Sequence, residues 1–263
     1  MTDSSVLASS VLVPFAELDG SARATLLRPI RMIATDVDGT LTRGRALDPE
    51  VVRVIAAMAR EGLSIVPVSG RPAGEVLGLC RYLPGVERAI AENGLLEVIP
   101  DQPPRWLGEP TDRAALLEAG RRLDVEHGPL RLTADDMFRV GDVAYERDGR
   151  GQAELERLRR AAAELGVFMI WSSVHVHLTP RPPDKGVGLL RFAADHGLDP
   201  ATILTIGDAP NDEGLFTAGR FGVTVGTADV PAQAAAFRSL PAYVTTGRES
   251  TGFLEVALAL LAL

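Results

Sequence analysis

Short apolar runs that close on an acidic or small polar turn recur along this chain. Met32-Ile-Ala-Thr35 ends at Asp36, and an unbroken apolar run of that length predicts a strand buried on both faces. Asp48-Pro49-Glu50 offers an N-cap, a proline at the first helical position and an acid in the first turn. Val51, Val52, Ile55, Ala56 and Met58 then share a helical face, and Gly62 stops it. Leu63-Ser-Ile-Val-Pro-Val68 predicts the next strand, Ser69-Gly-Arg-Pro72 a loop opening another helix, and Ala89-Ile-Ala91 a third strand. This alternation predicts right-handed crossovers and a parallel sheet.

The texture changes after Pro100, Pro103, Pro104 and Pro110. A helix is expected from Thr111 to about Leu123, and short β segments around Leu130–Thr133 and Phe138–Tyr145. A charged helix follows from about Gln152 to Leu165. Val167–Trp171 and Val174–Leu178 read as strands joined by a turn at Ser172-Ser173. Alternation resumes with a helix from Lys185 to His196, stopped by Gly197. Strands are expected at Thr202–Ile206, Phe221–Val225 and Ala242–Val244, with helices after each. The predicted fold is α/β: a doubly wound, Rossmann-like parallel-sheet core with a smaller α+β domain inserted. The expected boundaries are an N-terminal extension at 1–30, core at 31–99 and 181–263, and insert at 100–180. Glu17–Leu27 reads as a short helix, and the apolar tail Phe253–Leu263 as a closing helix packed on the core.

Composition narrows the function. The 263 residues suffice for a core without disulfides or metal staples. The 35 acidic against 27 basic residues give a formal charge of -8, which argues against general binding to nucleic acid or anionic membranes. Cys80, the single cysteine, cannot pair within the chain, so a reducing, cytoplasmic setting is expected. No apolar stretch is long enough to span a bilayer. The start lacks a positive n-region, and Val11–Phe15 is too short for a signal core.

In a sheet of this kind, ligands bind beyond the carboxyl ends of the strands. Asp36, Ser69 and Asp208 each fall at or within two residues of a predicted strand end, and Lys185 starts a helix. The fold alone would gather them with Asp38, Asn211 and Asp212. Several carboxylates in one crevice repel unless a cation sits among them, and hard oxygen donors suit Mg²⁺. A lysine and a serine hydroxyl beside such a metal describe a phosphate site. Asp36 is placed to attack phosphorus. Asp38, two residues on, is placed to protonate the leaving oxygen and later deprotonate water. Thr40 and the Gly39 region can donate to phosphoryl oxygens.

Asp36-Val-Asp-Gly-Thr40, Val68-Ser-Gly-Arg71, Asp184-Lys-Gly186 and Gly207-Asp-Ala-Pro-Asn-Asp212 resemble, in order, the four motifs of the haloacid dehalogenase-like phosphatases. Ala91-Glu-Asn-Gly94 and the place of the insert resemble subclass IIB, whose cap lies between the second and third motifs. The run from Gly166 through His177-Leu178 to Asp184-Lys185 is similar to archaeal-type phosphoglycolate phosphatases, with sucrose-phosphate and mannosyl-3-phosphoglycerate phosphatases as relatives. The resemblance spans about 31 to 262 and departs at Gly226-Thr-Ala228, where many relatives carry Gly-Asn-Ala. It implies a Mg²⁺-dependent hydrolase of a small phosphorylated metabolite, acting through an aspartyl-phosphate. Asp36 matches the nucleophile and a metal ligand. Asp38 matches the acid/base and a backbone-carbonyl ligand, and Ser69 and Lys185 match the phosphate binders. Asp208 and Asp212 match the remaining metal carboxylates, with Asn211 supporting.

Weaker signals lie elsewhere. Asp-x-Asp-Gly is common in plain turns, but its position 12 is Leu47, which excludes an EF-hand. His175 and His177 share a strand face without an evident third metal ligand. His177 is the better candidate to face the site from the cap. Arg139 is a candidate for a substrate carboxylate or for a surface salt bridge, and Arg71 for phosphate or substrate. The charged run from Glu154 to Arg160 reads as a solvated face. Trp171 reads as core or domain interface. Neither a dinucleotide nor a P-loop fingerprint occurs. A signalling receiver also uses Asp, Ser/Thr and Lys around Mg²⁺, but has no need of Asp38 or the insert. The same residues would also serve a sugar-phosphate phosphatase, a phosphomutase or a non-catalytic phospho-ligand binder. Oligomeric state is not legible in the sequence.

Overall fold

The computed structural model describes residues 12–171 and 175–263. The expected turn at Ser172-Ser173 and the first residue of the strand read from Val174 lie outside them, as does the chain start. The first described strand, β1 (Val13–Pro14), leads through a 3-10 turn into α1 (Gly20–Leu27). Asp19 caps α1 by accepting from the Ala22 amide at 2.7 Å. β2 (Met32–Thr35) is buried at every position, as an inner strand of a covered sheet must be. A two-strand flap follows, β3 (Thr42–Arg43) against β4 (Ala46–Leu47). Asp48 and Pro49 start α2 (Pro49–Arg60) as expected, with Val51, Val54, Ile55 and Met58 buried. Gly62 ends that helical segment at φ 77°.

β5 (Ser64–Pro67), α3 (Ala73–Tyr82) and β6 (Ala89–Ala91) complete the first half. Two strands not anticipated, β7 (Leu96–Val98) and β8 (Arg105–Trp106), extend β6 into a small antiparallel meander, β7 pairing with β6 and β8 with β7. The prolines at 100, 103 and 104 sit in the connection between them. The insert then supplies α4 (Arg113–His127), β9 (Val143–Glu146), α5 (Gln152–Glu164), β10 (Phe168–Trp171) and β11 (His175–Thr179). Its antiparallel sheet runs β10-β11-β9. Leu116, Leu123, Val143, Leu155, Leu158, Val176 and Leu178 form a separate core, with Trp171 partly buried against it. Two β expectations shrink here. Residues 130–133 make only an isolated bridge, Leu132 to Tyr145, and residues 136–138 form a 3-10 turn ahead of β9.

The chain returns through α6 (Lys185–Asp195), β12 (Ile203–Gly207), the short α7 (Glu213–Phe216), β13 (Val223–Gly226), β14 (Tyr243–Val244) and α8 (Glu249–Leu261). Only a 3-10 segment, Pro231–Ala236, stands where a helix is expected after β13. The apolar tail forms α8, which packs on α2 as expected. Six parallel strands align as β1-β14-β13-β12-β2-β5. From β2 the chain first builds outward to β5, then returns on the other side through β12. The order therefore reverses beside β2, and a crevice opens there. Among the described residues no helix is long and apolar enough to cross a membrane.

Candidate active site

β2, β5 and β12 deliver their polar residues to one sheet edge. The Asp36 amide donates to the Ile206 carbonyl at 2.9 Å, and Val68 to Thr35 at 2.7 Å, so the backbones remain in ladder register there. Ser69 is held by its amide on the Ile90 carbonyl at 2.9 Å. Asp208 follows Gly207, the last residue of β12. Lys185 opens α6, whose N-cap Asp184 accepts from the Val187 amide at 2.9 Å. Sheet and helix thus converge residues far apart in sequence.

Lys185 is fully buried, and its Nζ donates to Asp36 Oδ1 and to Asp212 Oδ1, each at 2.6 Å. Asp212 Oδ2 accepts the amides of Asp208 and Ala209 at 3.0 and 3.1 Å. Asp36, Asp208 and Asp212 each present an oxygen within 4.8 Å of the others. Burial, then Asp212, push Asp36 up to about 7 against the pull of Lys185. Burial, then Asp36 and Asp212, push Asp208 up to about 9. Lys185 is raised in spite of burial, because Asp212 and Asp36 favour its charge. Three carboxylates face one ammonium, so the pocket is short of positive charge. An all-oxygen donor set of this charge fits a hard divalent cation, and the cluster could hold a metal ion. Glycine is required beside it: Gly39 has φ 81°, and a Cβ there would strike the Asp208 carboxylate.

The remaining expected residues take different places. Asp38 is half exposed, and both its oxygens accept from Arg71, Nε and Nη2, at 2.7 Å. Arg71 also pairs with Glu75 at 2.7 Å. Ser69 Oγ accepts the Arg71 amide at 3.1 Å. Thr40 is buried, and its hydroxyl donates to Asp208 Oδ1 at 3.2 Å. Asn211 is exposed on the turn that carries Asp212.

The two cap candidates lie in a buried ionic network. Arg139 donates to Asp142 at 2.9 and 3.1 Å, to Asp135 at 3.1 Å and to the Gly70 carbonyl at 3.3 Å. The salt bridge expected of Arg139 is therefore buried rather than at the surface, and it ties the insert to the Ser69 loop. His177 Nδ1 lies 3.0 Å from Asp142 Oδ2, and the His175 and His177 rings sit 6.1 Å apart. Burial would raise Asp142, but His177 and Arg139 hold it below the usual carboxylate range. Sequence reasoning assigned no role to Glu92. Its buried carboxylate accepts amides from Ala73, Val140, Gly141 and Asp142, joining α3 to the insert. Glu92 and Asn93 both have positive φ, 52° and 56°, an uncommon state for a glutamate. In the sequence, the Ala91-Glu-Asn-Gly94 run stands out only through its resemblance to subclass IIB, and that run is the signal that could have pointed to Glu92.

Residues 136–255 match the family model of a haloacid dehalogenase-like hydrolase. A phosphoglycolate phosphatase of Haloarcula marismortui is 31% identical over 226 residues, covering 85% of this chain and 94% of the relative. The chain belongs to the haloacid dehalogenase-like hydrolases. A second phosphoglycolate phosphatase, from Natronomonas pharaonis, is 30% identical over 225 residues, with the same coverage of 85% and 94%. This hydrolase is an enzyme of the phosphatase kind, a phosphoric monoester hydrolase. Its fold is similar to that of a Thermoplasma acidophilum protein at TM-score 0.75 and 19% identity, covering 89% of this chain and 99% of that one. It is also similar to the Synechocystis sucrose-phosphatase at TM-score 0.63 and 17% identity, covering 87% and 97%. Both likenesses support the parallel-sheet core with an inserted cap.

Proposed function

We propose that this phosphatase hydrolyses a small phosphomonoester, phosphoglycolate first among them, through an aspartyl-phosphate on Asp36. The observation that carries the reading is Asp36 held 2.6 Å from Lys185 in a buried pocket with Asp208 and Asp212. Phosphoglycolate rests on the relatives named for it. The acidic balance and the buried Cys80 support a small metabolite and a cytoplasmic setting over nucleic acid or membrane.

Asp36, Asp208 and Asp212, with the Asp38 backbone carbonyl, would hold Mg²⁺, which when bound would neutralise the carboxylates and the charge on the phosphoryl group. Lys185 favours the ionised form of Asp36, against burial and Asp212, and adds a positive charge beside the entering phosphate. An Asp36 oxygen attacks phosphorus, and the ester P–O bond breaks. Asp38 gives its proton to the departing alkoxide, then takes one from the water that attacks the aspartyl-phosphate. The bond between Asp36 and phosphorus breaks in that second step, and inorganic phosphate leaves. Ser69 keeps its hydroxyl proton for a phosphoryl oxygen. Both Asp38 oxygens accept from Arg71 in this arrangement, so Asp38 must leave Arg71 and take up a proton from solvent before it serves as the acid. The proton it later takes from water restores that form for the next turnover. The insert, expected at 100–180, acts as the lid that excludes bulk water.

Phosphate release from phosphoglycolate, sucrose 6-phosphate, mannosyl-3-phosphoglycerate and hexose phosphates tests this, with Mg²⁺ or with EDTA. Turnover is expected with Mg²⁺, highest on phosphoglycolate, and lost in Asp36→Asn. Turnover that survives Asp36→Asn would overturn the aspartyl-phosphate. A preference for a sugar phosphate would move the substrate and leave the mechanism standing.

A further inference from the structure

Two arginines, Arg181 and Arg191, come together beside the linker that returns the chain from the insert to α6. A cavity of about 250 Å³ is walled there by Gly94, Leu95, Arg181, Pro182, Val187 and Arg191. Asp36, Ser69, Lys185, Asp208 and Asp212 do not line it. The two arginines approach each other over Gly108: a Cβ there would strike the Arg191 guanidinium and lie 3.6 Å from Arg181 Nη2. Each donates to a backbone carbonyl. Arg181 Nη1 reaches that of Glu109 at 2.7 Å, and Arg191 Nη1 that of Leu107 at 2.8 Å. Arg181 Nη2 is buried with no hydrogen-bond partner among the described residues. A carboxylate in the wall, Asp184, is already engaged by Arg220 at 3.0 and 3.1 Å and by the Val187 amide.

We propose that Arg181 and Arg191 form a binding site for a small tetrahedral oxyanion of the phosphate class, separate from the catalytic crevice. Two like charges are held together here without a carboxylate of the described residues bridging them. A buried guanidinium nitrogen is left unpaired, which is costly unless a ligand completes it. Burial and the nearby Arg191 weaken the hold of Arg181 on its proton, opposed by Glu109; an anion would relieve both effects. The planar fork of arginine suits two oxygens of one tetrahedral anion. Arg191 is exposed and Arg181 half-buried, so the pair is reachable from solvent.

The test is an NMR titration of the ¹⁵N-labelled full chain, following the arginine side-chain Nε–Hε signals. Arg181→Lys and Arg191→Lys assign the two signals by loss. Sodium sulfate is the probe, since it is neither product nor substrate, and sodium chloride at equal ionic strength is the control. Both signals should shift saturably with sulfate at one common midpoint, and not with chloride. Arg181→Ala should weaken that midpoint, read at Arg191, by about tenfold or more. Shifts that match the chloride control, or none at either signal, would overturn the site. The wild-type titration alone decides this if the alanine variant does not fold.

Discussion

Lys185 is an ammonium with no access to water, and its two carboxylate partners are themselves buried. Removing it would leave Asp36 and Asp212 facing each other uncompensated, so Lys185→Met should destabilise the fold by roughly 3–5 kcal/mol, read from urea unfolding. The same charge imbalance sets a pH dependence. Asp36 at about 7 and Asp208 at about 9 lie above their unfolded values. The folded state therefore binds more protons than the unfolded one, and stability is lost as pH rises from near 4 toward 9. A divalent cation opposes that loss. Mg²⁺ should raise the melting temperature of metal-free protein more at pH 8 than at pH 5, and an equal rise at both would contradict the carboxylate cluster as its site. Cys80 shows the opposite case, a group outside any chemistry. Burial pushes its thiol up to about 11, so it should resist iodoacetamide at pH 8 until the chain is unfolded. Most of the candidate site was legible at this scale because each residue sits at the end of a buried apolar run or begins a helix. The partners of Asp38 and Arg139 were not, since Arg71 reaches Asp38 across 33 residues and no local pattern records such a contact.

Elements were legible where their ends carry chemistry. Asp48, Pro49 and Gly62 bracket α2, and Asp184 caps α6, so both helices begin where side-chain spacing says they must. β7 and β8 were missed because a strand of two or three residues has too little periodicity to show, and the prolines between them read as an exit. The strand expected at 130–133 failed for a related reason, since its pairing stops at a single bridge, Leu132 to Tyr145. The contact between α6 and the Glu92–Gly94 turn also lies beyond sequence patterning. Gly188 meets the Gly94 backbone so closely that a Cβ on either would collide with main chain. Gly188→Ala should force α6 from that turn and cost about 1–3 kcal/mol, with Lys185 displaced at its head. Unfolding free energy and Mg²⁺-dependent turnover should fall together. Turnover lost at unchanged stability would show that the helix yields without strain.

At the scale of the whole molecule, the N-terminal segment belongs to the core more than its sequence suggests. Residues 1–30 fall outside the motif resemblance and lack a strong period, so they read as an extension. The described part nevertheless adds β1 to the sheet edge by parallel pairing with β14. Phe15 is 1% exposed, and Leu27 and Ile30 are buried in the same cluster as Ile33, Ile206 and Phe253. Phe15 also meets Tyr243 edge-on at 6.4 Å, while Arg23 covers its ring at 5.5 Å. A two-residue strand cannot hold itself in place by backbone pairing, so the aromatic anchor must supply most of its attachment. Phe15→Ala removes that anchor and leaves a cavity under α1, which should cost about 3–5 kcal/mol. Urea unfolding followed by tryptophan fluorescence measures it. If the segment is integral to the sheet, one cooperative transition shifts to lower urea with its slope unchanged. If it is a detachable extension, the midpoint stays near wild type, and only the N-terminal amides lose hydrogen-exchange protection.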